Sequence, residues 1–177
     1  MISAPADAPL IVTALLPKDL AAWATGLRRA HFPPERNYLD AHVTLFHALP
    51  PHCCDEIQDH FRRLSAEFAP VGARLERIMS LGGGTAFGIE SEAMLRIRAM
   101  IAERMHGLLT QQDQHQKRLH VTIQNKVTSA EAKALQRMLE PQFSPRTFAF
   151  RGLGLYRYLG GPWDKVSEFA FRGKAEA

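Results

Sequence analysis

Apolar positions along the chain recur with two different periods. Residues 10–16 form a short apolar run, β-branched in part, and read as a strand. After Pro17, Leu20, Trp23, Leu27 and Ala30 follow at intervals of three and four, the spacing of an amphipathic helix. Residues 31–40, with Pro33, Pro34 and Asn37, make a polar loop into the compact run 42–49, which Pro50 and Pro51 close. Ile57, Phe61, Leu64 and Phe68 set an apolar stripe on a helix over residues 55–68. Residues 71–81 and 85–90 read as a hairpin about Gly82, Gly83 and Gly84, because glycine supplies the positive φ of tight turns. Helical spacing returns over residues 92–109. A strand over 119–127 and a capped helix over 129–139 follow. Strands over 146–158 and 163–171, joined at Gly160, Gly161 and Pro162, form a second hairpin, and alternating Phe148, Phe150, Phe169 and Phe171 are assigned to packing.

Helix, strand, helix, hairpin thus occurs twice. An offset of 78 residues carries His42-Val43-Thr44 onto His120-Val121-Thr122 and Leu81-Gly82-Gly83 onto Leu159-Gly160-Gly161. The expectation is one α/β (α+β) domain over residues 1–177 made of two pseudo-symmetric lobes, about 10–90 and 91–172. Each lobe would be a small antiparallel-rich sheet with its helices outside, and a pseudo-twofold axis would bring equivalent strands face to face across a central cleft.

Composition narrows the function classes only mildly. With 46% hydrophobic and 23% charged residues the chain can bury a core, so disorder is not the default. Its 22 basic and 18 acidic residues leave a net charge of +4, which permits an anionic ligand without identifying one. Cys53 and Cys54 are adjacent, which is neither Cys-x-x-Cys spacing nor a disulfide framework, so reduced thiols in a cytoplasmic protein are expected. The N-terminal apolar run is too short for a secretion signal or a membrane span, and no membrane association is expected.

The repeated tripeptide carries the chemistry. Composition alone would give about 0.01 His-Val-Thr tripeptides in a chain of this length, and two occur at matching places in the repeat. Alternation along a strand sets His42 and Thr44 on one face and Val43 and Leu45 on the other; His120, Thr122 and Gln124 share a face in the second copy, opposite Val121 and Ile123. A lone motif of this kind would read as half-buried strand residues, threonine being a favoured strand former. Phosphoester cleavage needs one proton removed from the attacking oxygen and another delivered to the leaving oxygen, and histidine titrates where both are feasible. Two opposed histidines meet that need without a metal or any other cofactor, while the hydroxyls donate to non-bridging phosphate oxygens. The motif alone leaves open which histidine is acid and which is base.

In these residues the chain resembles the 2H (two-histidine) phosphoesterase superfamily, and within it the bacterial 2'-5' RNA ligase and cyclic phosphodiesterase branch. His42-Val43-Thr44-Leu45 and His120-Val121-Thr122-Ile123 match its His-x-Thr/Ser-x signature, with the bilobal pattern covering nearly the whole chain. The resemblance implies a bilobal fold with a central cleft, hydrolysis of 2',3'-cyclic phosphates without a metal, and in some members ligation through 2'-5' linkages. It makes His42 and His120 catalytic and gives phosphate to Thr44 and Thr122. The partners it implies are RNA with a cyclic phosphate or a 2'-5' linkage, or a small cyclic nucleotide, bound by a monomer.

Further candidates for holding the substrate are Arg36, Arg118, Gln124, Lys126, Arg157 and Tyr158, with Tyr156 as a second base-stacking aromatic; for each the bland alternative is an ordinary surface charge or a packed ring. His47, five residues past His42, should face the opposite side of a regular strand and be structural. His52, His60, His106 and His115 lack metal-ligand spacing, and no glycine-rich triphosphate loop occurs. Two rival functions stand beside the enzyme: a module that grips RNA ends or nucleotides without turnover, and a metal-dependent hydrolase.

Overall fold

The computed structural model describes residues 5–115 and 118–177, so the first four residues of the expected 1–177 domain lie outside the described residues. The elements run β1 (Leu10–Leu15), α1 (Lys18–His31), β2 (Val43–Leu49), α2 (Cys54–Glu67), β3 (Val71–Ser80), β4 (Thr85–Glu90), α3 (Glu92–Arg104), α4 (Gln111–Gln114), β5 (Leu119–Gln124), α5 (Ser129–Leu139), β6 (Arg146–Phe150), β7 (Gly152–Tyr158) and β8 (Trp163–Ala170). Two four-stranded antiparallel sheets result, in the orders β2-β1-β7-β8 and β5-β4-β3-β6. This is the expected mixed α/β architecture with two small sheets.

The sheets do not follow the expected cut near residue 90. The first takes β7 and β8 from the C-terminal half, and the second takes β3 and β4 from the N-terminal half. The run read as one strand over 146–158 is two. Its first part pairs with β3 in one sheet and its second with β1 in the other, and Arg151 marks the crossing by donating its N–H to Leu15. Alternation of apolar residues reveals which face of a strand is buried but not which partner its edges find, so the exchange left no trace in the pattern. The helix expected to reach Leu109 stops at Arg104, since Gly107 takes a positive φ of 80°, and a short turn of helix, α4, follows.

The cap expected on α5 and the glycine turns sit where the sequence put them, and α3 has a cap as well. Ser91 accepts from the Met94 N–H to start α3, and Thr128 with Glu131 forms a complete capping box on α5. Gly82 and Gly160, equivalent in the repeat, both have positive φ in their hairpin turns. Helices shield both sheets. Trp23 of α1 stacks on Phe87 of β4 at 5.0 Å, so the helix that follows β1 covers the other sheet. Phe61 of α2 meets Phe169 of β8 at 5.6 Å. Phe46, Phe61, Phe87 and Phe150 are fully buried, each such ring adding about 1.5–3 kcal/mol over an exposed one. Among the described residues no helix is long and apolar enough to cross a membrane.

Candidate functional site

β2 and β5 are the edge strands of their sheets and lie beside one another. The crosswise fold therefore joins the sheets at the two strands that carry the repeated motif. Val43, Leu45, Val121 and Ile123 are buried, while His42, Thr44, His120 and Thr122 are half-buried. The alternation expected over each tripeptide is what the fold uses.

Both rings are held alike. His42 Nδ1 donates to the Asp40 carbonyl at 2.8 Å, and His120 Nδ1 donates to the Arg118 carbonyl at 3.0 Å. A carbonyl only accepts, so each Nδ1 carries the proton and each Nε2 is the nitrogen left for chemistry. Withdrawal from solvent lowers the His42 pKa from its usual 6.5 to about 4, outweighing the opposing bond to Asp40; the charges of Arg28, His120 and His47 lower it further. Its ring lies 4.5 Å from that of Trp163. His42 is thus a neutral imidazole through the physiological range.

Each motif strand departs from regularity at the same point. Thr44 pairs with Thr13 and Phe46 with Val12, which leaves Leu45 as an extra residue; Thr122 pairs with Ala86 and Gln124 with Thr85, which leaves Ile123 as one. These bulges sit three residues past their histidines. A buried arginine from the facing helix holds the carbonyl at each. Arg28 of α1 donates to Thr122 O at 2.9 Å as well as to Leu39 O and Asn37 Oδ1. Arg98 of α3 donates to Leu45 O at 3.0 Å and to the carbonyls of Asp113 and His115. Neither arginine emerged from the motif reading. The available signal was a charged residue in phase with a helix's apolar stripe, Arg28 after Leu20 and Ala24, Arg98 beside Met94, Ile97 and Ile101.

The bulges also overturn two facings. Gln124, expected beside Thr122, lies past the extra residue, so its side chain is buried on the other face and accepts from the Thr85 hydroxyl at 3.2 Å. His47 moves the opposite way. Beyond the Leu45 bulge a second irregularity sets His47 and Ala48 together against Ile11, and His47 comes to the face of Thr44. Its Nδ1 lies 3.2 Å from Asp113, whose buried carboxylate also accepts the N–H groups of His47 and Ala48 at 3.0 and 2.9 Å. Burial alone would raise the Asp113 pKa, but these donors outweigh it and hold the carboxyl at about 2.

Two cavities flank the motif strands. One of about 390 Å³ touches His42 and is lined by Tyr38, Asp40, Tyr156, Trp163 and Lys165. The other, of about 700 Å³, is bounded by Arg29, His31, Lys126 and Glu131. Gly154 leaves room for the Tyr156 ring that lines the first, since a Cβ there would stand 2.7 Å from Thr13 Oγ1 and 2.8 Å from that ring. Tyr156 is on the cleft face, paired with Ile11, and Tyr158 is exposed opposite Trp163. Trp163, against His42, was read only as the start of a strand. Arg157 pairs with Leu10 on the far face and donates to Ala6 O, so it is not directed at the histidines. Arg36 is exposed on a 3-10 turn, Arg118 is exposed and meets the site only through its carbonyl, and Lys126 is exposed with a left-handed φ of 61°.

Against known proteins, the family model of the 2'-5' RNA ligase superfamily matches residues 16–162. No curated protein matches the chain. Among solved structures it is similar to TT0787 of Thermus thermophilus, with a TM-score of 0.63 and 18% identity over 93% of this chain and 98% of that one. The structures of E. coli LigT complexed with NADP+ and with 3'-AMP follow at TM-scores of 0.57 and 0.55, each 15% identical over 93% of this chain and 98% of the other.

Proposed function

The chain belongs to the 2'-5' RNA ligase superfamily, and on that footing we propose that it is a metal-independent phosphodiesterase that opens the 2',3'-cyclic phosphate of an RNA end or a small cyclic nucleotide. One observation carries the reading: the two motif histidines stand at adjoining edge strands, and each gives Nδ1–H to a carbonyl two residues earlier and keeps Nε2 available. His42, held neutral, accepts the proton of the attacking water at Nε2. His120, entering the reaction as the imidazolium with both nitrogens protonated, delivers the proton on its Nε2 to the ribose oxygen as the P–O bond breaks. The Thr44 and Thr122 hydroxyls donate to the two non-bridging oxygens, where charge develops. A 5'-hydroxyl in the place of water would make the same chemistry a ligation. The E. coli LigT complex with 3'-AMP supports a nucleoside phosphate as the kind of ligand such a cleft accepts.

The test is to incubate the protein with 2',3'-cyclic nucleotides and with RNA ending in a cyclic phosphate, and to identify products by mass spectrometry. Gain of one water per cyclic phosphate supports the proposal. Tight binding with no turnover of any of them would leave a binding module instead.

Two consequences are measurable on the same substrate. Thr44→Ala and Thr122→Ala are each expected to lower kcat by about ten-fold or more with the melting temperature little changed, the scale of a lost oxyanion donor. Unchanged rates in both would remove the hydroxyls from the reaction. The pH profile of kcat/KM reports the free enzyme, and base catalysis by His42 is lost only as pH falls through the His42 pKa, so the acid limb should lie near 4 rather than near 6.5. An acid limb at 6.5 would mean that another group is the base.

A further inference from the structure

Two-histidine chemistry accounts for one histidine on each motif strand. β2 carries another. The equivalent of His47 in the second copy, five residues past the motif histidine and just beyond β5, is Asn125, which turns its Oδ1 back to the neighbouring Lys126 N–H. The surroundings of His47 are asymmetric in the same sense: Asp113, fully buried, takes both backbone N–H groups of the irregular stretch and the ring Nδ1 besides. The backbone donors alone would satisfy the carboxylate's role in closing α4 onto β2. The ring bond adds only orientation. It fixes Nδ1 as the donor to Asp113 and directs Nε2 of a side chain 37% exposed away from that carboxylate, on the face that Thr44 and His42 share.

We propose that His47 is a third substrate-contacting histidine, which as the imidazolium paired with Asp113 receives a second phosphate of the substrate through Nε2–H, and that Asp113 is its positioning residue. The proposal rests on the phosphoester reading of the same cleft. His47 stands three residues beyond Thr44, about 10 Å or less along a strand shortened by its bulges, a span one nucleotide bridges. A 2',3'-cyclic phosphate terminates its chain, so the only phosphate adjoining it is on the 5' side of the same nucleoside. The cleft is therefore assigned to nucleotides that carry a 5'-phosphate or are joined through one to a longer RNA, in preference to the bare cyclic nucleoside.

Equilibrium titration tests this without turnover. Adenosine 3'-monophosphate and adenosine 3',5'-bisphosphate are titrated into the parent, His47→Gln, His47→Arg and Asp113→Asn, each checked for folding by melting. The parent should prefer the bisphosphate by about ten-fold, the scale of one charge-assisted hydrogen bond. His47→Gln should bring that ratio close to one, whatever happens to the monophosphate affinity itself, while His47→Arg restores much of it and Asp113→Asn reduces it. A parent without the preference, or a His47→Gln variant that keeps it, overturns the proposal. A preference that His47→Gln abolishes in a protein that hydrolyses no cyclic phosphate would contradict the proposed reaction and leave this site standing; hydrolysis without the preference would do the reverse.

Discussion

His42→Ala and His120→Ala are each expected to lower kcat/KM on a 2',3'-cyclic nucleotide by about 10²- to 10⁴-fold, the usual worth of a general acid or base. The double variant should be little worse than the poorer single one. One imidazole withdraws a proton while the other supplies one to the same phosphate, so removing either disables most of the device and the losses do not add. Neither variant should fall apart, because each ring is half-buried and its only hydrogen bond in the described structure runs to a carbonyl two residues earlier. The measurement is kcat/KM for parent, both singles and the double, alongside their melting temperatures. Near-parent activity in either single variant, with the fold intact, would make the repeated motif structural.

Arg98→Met should cost stability on a comparable scale: about 3–5 kcal/mol by urea denaturation. The Arg98 guanidinium lies buried over the Phe46 ring and supplies donors to Leu45 O, Asp113 O and His115 O, so a methionine would fill much of its volume and leave three carbonyls short of a partner. Arg28→Met should behave likewise through Thr122 O, Leu39 O and Asn37. Activity should fall along with stability even well below the unfolding transition, because these arginines fix the bulges that aim the threonines. A change within about 1 kcal/mol for both would show that the bulges hold without them.

The sequence disclosed the two motif strands more fully than the framework that joins them. Strand alternation correctly separated His42 and Thr44 from Val43 and Leu45, because within a tripeptide nothing intervenes to break the period of two. Five residues on, the same rule failed for His47, and it failed again for Gln124, since an extra residue in an edge strand reverses every facing beyond it and has no signature in the residue types. The repeat was legible through its glycines and its tripeptides. The exchange of strands between the two halves of the chain was not, because pairing between distant segments depends on edges that every strand possesses alike. Trp163 and Asp113 were hidden for a related reason: each acquires its place beside a histidine only through chain far from it in sequence.

The central claim is that His42 and His120 suffice as acid and base on a cyclic phosphate. Its most direct test is turnover of a 2',3'-cyclic nucleotide in excess chelator, parent beside His42→Ala and His120→Ala, with products identified by mass. The account predicts that the parent hydrolyses the substrate at an unchanged rate in chelator and that both variants are nearly inactive with or without it. Loss of the parent's turnover in chelator, restored by one divalent ion, would contradict it.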